Sequence, residues 1–161
     1  MQRSDWFYLW VIISGYLTGY VMYMMTLFLL YREADVVTGS FIGWTAVMYL
    51  TSVMLLYLLS VLILRLVGLY RFWSQTIMFV LASFLIVYMT AWLFLGTGLS
   101  TLPPLSFPFT VEGLPFLVFW TSTALTCSWG VWVVRNPSTK PLFLLLSRVI
   151  FILFIIWIGV R

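Results

Sequence analysis

The sequence predicts an all-α membrane protein, a single bundle over residues 1–161 with about five crossing helices, and three observations carry that expectation. Hydrophobic residues make up 64% of the chain and charged residues only 7%, with a mean hydropathy of +1.14. Soluble domains are roughly one-quarter charged. The apolar residues fall into five runs, at 6–31, 41–64, 72–95, 114–134 and 142–160. Each approaches or exceeds the roughly 20 residues that span about 30 Å of hydrocarbon at about 1.5 Å per residue. Between the runs stand short polar or Gly/Pro-rich breaks, "READVVTGS", "RLVGLYR", "GTGLSTLPPLSFPFTVEG" and "RNPSTKP". No polar stretch is long enough for an independent soluble core.

The first run follows a lone Arg3 and is about twice as long as a signal-peptide core, with no small-residue cleavage site, so it reads as a retained helix. Ser4 or Asp5 is its expected N-cap, as Ser40 is for the second helix. The third run ends at Gly96, a residue suited to a helix C-terminus. Pro115 and Pro141 fall in the first turns of the fourth and fifth helices, where a missing N–H is tolerated. Glu112 is placed to complement the dipole of the fourth helix. Arg148 lies about 10 Å inside the fifth run, close enough to the boundary for its side chain to reach the headgroups, so a full crossing is favoured over a re-entrant hairpin.

Basic residues set the expected orientation. With the N-terminus inside, Arg3, Arg65, Arg71, Arg135, Lys140 and Arg148 are cytoplasmic, against Arg32 and Arg161 outside. That bias obeys the positive-inside rule, and an odd number of crossings puts the C-terminus outside. Aromatic belts agree: Trp6, Trp10, Trp73, Trp129 and Trp132 gather toward the inner ends, and Trp44, Trp92, Trp120 and Trp157 toward the outer ends. A bacterial inner membrane is the expected location.

Two small-residue patches are the candidate contact sites. Gly15 and Gly19, in "SGYLTGY", let a second helix backbone approach the first. Ser122, Thr126 and Gly130 recur every four residues on the fourth helix, with Thr123 and Cys127 beside them, which marks that helix as the bundle centre, packed on the first. Packing inside the bundle is the favoured reading of both, and contact with a partner's helix or a ligand groove is the sharper one. Arg148 is the deepest charge, either an interface anchor or a ligand for a lipid phosphate or a partner carboxylate.

Several activities are disfavoured. Histidine is absent and Cys127 is the only cysteine, so the usual haem ligand, general base and metal spacings are missing. No acid lies within a run, which weighs against a proton-coupled carrier. The eight basic residues are scattered singly, leaving no track for nucleic acid. With no catalytic pattern and no cofactor expected beyond a bound lipid, the sequence points to a non-catalytic accessory or structural subunit of a larger membrane complex, in contact with lipid and other integral subunits. A small transporter or lipid carrier using the fourth helix and Arg148 is the first alternative. A quinone- or pigment-contacting subunit of an electron-transfer assembly is the second.

Overall fold

The computed structural model describes residues 3–32, 39–94 and 105–159. Glu33, Asp35, Gly96, Arg161 and the first part of the long outer loop lie outside them, as do the side chains of Arg3, Ser4, Asp5, Ser40, Trp44 and Trp157. The described residues are helical apart from turns, without a strand. The helices are α1 (Arg3–Tyr31), α2 (Gly39–Ser52), α3 (Leu58–Leu66), α4 (Phe72–Phe94), α5 (Leu114–Arg135) and α6 (Lys140–Gly159). Five stretches are long and apolar enough to cross a membrane: Trp6–Tyr31, Thr45–Leu66, Phe72–Trp92, Leu114–Arg135 and Pro137–Ile156. The α1 and α2 helices begin at Arg3 and Gly39, ahead of the residues expected to cap them.

The second crossing stretch joins α2 to α3 through a π-helical turn, Val53–Tyr57. No glycine or proline marks it. Its effect is on phase: residues eight apart in a regular helix point about 80° away from each other, and a wide turn absorbs an extra residue. Tyr49 and Tyr57 are thereby both turned inward, 1% and 3% exposed. The Tyr49 hydroxyl donates to the Ile12 carbonyl of α1 at 2.7 Å. Tyr57 stacks on Phe79 of α4, with centroids 4.3 Å apart and planes 7° from parallel.

Gly68 terminates α3 with φ +71°, a conformation that a side chain would strain. The N–H of Leu69 returns to the Leu64 carbonyl at 3.1 Å and that of Gly68 to the Arg65 carbonyl at 3.2 Å, the paired bonds of a Schellman turn. At the start of α5, Glu112 makes no side-chain cap, and Thr110 Oγ1 instead accepts from the Gly113 N–H at 3.2 Å. Glu112, the residue before Gly113, is exposed.

The α5 helix is the centre. Its most extensive partner is α1, followed by α4, and both run antiparallel to it. On the outer side of α1, α6 runs parallel, joined by a 2.8 Å bond from Trp10 Nε1 to Ser147 Oγ and by Tyr20 against Phe154. The N-terminus of α1 therefore shares one end of the bundle with the α3–α4 turn and the α5–α6 turn. Trp120, expected at the interface, is only 4% exposed and packs edge-on to Phe119 at 5.0 Å. Its position on α5, the helix with neighbours on two sides, overrides the preference of tryptophan for the headgroup level.

Candidate functional site

Many of the buried polar side chains lie along two seams, each built by close approach of α5 to a neighbour. Along the α1–α5 seam, Gly15 and Gly19 face α5 with no room for a side chain. A Cβ on Gly15 would lie 2.6 Å from Cys127 Sγ and 2.8 Å from the Tyr49 hydroxyl. One on Gly19 would collide with Thr123 Oγ1 and lie 2.9 Å from the Phe119 carbonyl. Across this gap Thr123 donates to the Gly15 carbonyl at 3.2 Å. The Tyr49 hydroxyl and Cys127 Sγ meet at 3.5 Å beside it.

The α4–α5 seam has two polar nodes. Near the N-terminal end of the bundle, Gln75 Nε2 donates to the carbonyl and hydroxyl of Ser128 at 3.1 and 3.2 Å, and Thr76 Oγ1 meets the same hydroxyl at 2.8 Å. Two turns further along α4, Ser83 bonds the Trp120 carbonyl at 3.0 Å and the Tyr57 hydroxyl at 3.0 Å. Gln75, Ser83, Thr123 and Ser128 are all at most 1% exposed. Each node includes a serine, whose short hydroxyl reaches across only where the helices are close.

The stripe expected from Ser122, Thr126 and Gly130 is divided. Gly130 is buried, and a Cβ there would collide with Val11 of α1 and lie 3.1 Å from Phe143 of α6. Ser122 and Thr126 are half-buried on the flank, donating to the Val118 and Ser122 carbonyls of their own helix at 2.6 and 2.9 Å. The residues that meet α1 are Phe119, Thr123 and Cys127, one position on from Ser122 and Thr126. At 100° per residue, that step is enough to move a hydroxyl from a helix contact to a flank. Arg148 is exposed on α6 and forms no ion pair among the described residues. The neighbouring Ser147, not Arg148, ties this level of α6 to α1.

Sequence reading missed Gln75 and the α2–α3 tyrosines. Gln75 was visible as the only glutamine in a run, but Tyr49 and Tyr57 gave no signal, because no glycine or proline marks the π turn that brings them to one side. Along the seams the hydroxyls of Thr76, Ser83, Thr123 and Ser128 and the amide nitrogen of Gln75 are hydrogen-bonded within the bundle, and no group of three acidic, cysteine or histidine side chains gathers among the described residues. Replacing Gln75 by leucine is therefore expected to act on stability alone, by no more than about 1 kcal/mol, since hydrogen bonds between membrane helices average about 0.6 kcal/mol. Thermal unfolding in detergent checks this, and a loss well above that would mean that the amide supports more than its bonds to Ser128.

At the N-terminal end, cations rest on aromatic rings. The guanidinium carbons of Arg65 and Arg135 lie 5.4 and 3.9 Å from the centroid of Tyr70, and Lys140 Nζ lies 4.9 Å from that of Phe7. Compared with protein-family models, curated proteins and solved structures, the chain matches none of them.

Proposed function

We propose that the chain is an integral protein of a bacterial cytoplasmic membrane, N-terminus inside and C-terminus outside, serving as a non-catalytic structural or accessory subunit of a larger membrane complex. The observation that carries this reading is the contrast between the two sides of the bundle. Inside, buried polar side chains such as Gln75, Ser83, Thr123 and Ser128 are hydrogen-bonded to neighbouring helices. Outside, α6 leans on α1 along one side and leaves Leu145, Val149, Ile152, Ile155 and Ile156 exposed. Such a face suits lipid or another subunit's helix. The orientation is supported by Arg65, Arg71, Arg135 and Lys140 all lying at the N-terminal end of the bundle.

Native mass spectrometry of the gently extracted protein, paired with a photo-crosslinking side chain at Ile152, tests the subunit reading. The expected result is stoichiometric co-purification of other membrane proteins and a protein adduct at Ile152. A lone chain that crosslinks only to lipid would remove the reading.

A further inference from the structure

We propose that Arg65, Tyr70 and Arg135 form a seat for the phosphate of an anionic phospholipid at the N-terminal end of the bundle. This rests on the chain being inserted in a membrane and does not depend on a partner subunit.

The seat begins with the Schellman turn at Gly68, which reverses the chain after α3 and returns Tyr70 to the level of Arg65, in the last turn of α3. Arg135 arrives independently as the last residue of α5. Their guanidinium carbons stand 5.4 and 3.9 Å from one ring centroid, so two cations share a single aromatic face or its two sides. The ring attracts each cation, and the negative ends of the α3 and α5 dipoles offset part of the charge. Neither supplies an anion. Glu112, the acid whose side chain is described, lies at the other end of α5, about 35 Å away.

Among the described residues neither guanidinium donates a hydrogen bond or forms an ion pair, so their N–H edges are left for a ligand. A planar fork of N–H groups matches phosphate oxygens in pairs, and attraction to the shared ring favours both guanidinium groups beside Tyr70 before the ligand arrives. The surroundings select a lipid over a free anion. Leu66, Val67 and Trp73 flank the site at 79%, 61% and 73% exposed, an apolar margin against which acyl chains lie, with an indole at headgroup depth.

The test uses the whole chain in nanodiscs, with native mass spectrometry reading retained lipid. The probes are dioleoylphosphatidylglycerol and dioleoylphosphatidylcholine. Wild type is expected to retain phosphatidylglycerol preferentially, and R65Q/R135Q to lose about 25-fold of that preference, taking each basic residue near the surface as worth a factor of about five. R32Q, at the opposite end of the bundle, should keep it. R65K/R135K retains both charges without the planar stack and should fall between. It also keeps the test valid should the glutamine variant fold poorly.

An unchanged preference in R65Q/R135Q, or none in wild type, overturns the site. A lysine variant equal to wild type shows that charge alone suffices and overturns the clamp. Displacement of the lipid by millimolar inorganic phosphate makes it a free-anion site and overturns the lipid assignment. Failure of wild type to enter phosphatidylcholine nanodiscs removes the membrane reading and this site with it. The Ile152 crosslink bears on neither outcome.

Discussion

Gly19→Leu is expected to disrupt the α1–α5 seam and destabilise the bundle by about 3 kcal/mol or more. Even the first carbon of the new side chain would meet Thr123 Oγ1 and the Phe119 carbonyl. The hydroxyl could rotate away, but the carbonyl belongs to the backbone of the central helix. Relief therefore requires the two helices to move apart, which also stretches the bond from Thr123 to the Gly15 carbonyl. Close backbone approach is the main source of attraction between membrane helices, because lipid is as apolar as the side chains it would replace. Gly43→Leu is the matching control, since a Cβ there meets nothing within 4 Å. It should change stability by less than about 0.5 kcal/mol. Unfolding in detergent, by heat or by titration with a denaturing detergent, compares the two. Equal tolerance would place the essential contact elsewhere.

Tyr49→Ala is expected to cost roughly 3 kcal/mol, and Tyr49→Phe only about 0.6 to 1.5 kcal/mol. The ring is 1% exposed and packs between Tyr16 and Trp120, with centroids 5.2 and 6.2 Å away. Truncation leaves a cavity that α1, α2 and α5 would all have to close. The estimate is at the low end for a buried aromatic because lipid, not water, receives the apolar surface exposed on unfolding. The phenylalanine variant retains the packing and loses the bond to the Ile12 carbonyl. The difference between the two variants thus separates ring packing from hydrogen bonding. Similar losses in both would mean that the hydroxyl, not the ring, holds α2 to α1.

The small-residue patches were legible for different reasons and to different depths. Gly15 and Gly19 stand out because little else explains paired glycines in a long helix, and they lie where two backbones approach. Ser122, Thr126 and Gly130 follow the same four-residue rule, yet only Gly130 sits at a helix contact. A four-residue pattern defines a stripe but not which neighbour it faces, and Thr123 and Cys127 lie close enough in angle to take that place. In the sequence Arg65 is one of several inner basic residues, with nothing to tie it to Arg135. Its shared ring with Arg135 depends on a turn and a helix end that are 70 residues apart in the chain.

The sequence by itself determined the all-helical class of the fold, the number of helices long and apolar enough to cross a membrane, and their ends to within about five residues. These depend on local quantities: the length of each apolar run, the prolines and glycines between them, and the charges at their ends. Only the tertiary structure decided which glycine meets which hydroxyl, why α2 and α3 are joined by a wide turn, and which cations converge at the N-terminal end. In a chain that is apolar on nearly every helix face, hydrophobic pattern cannot distinguish a face toward lipid from one toward protein. That choice falls to shape and to a few polar atoms seeking partners, and both are properties of helix pairs.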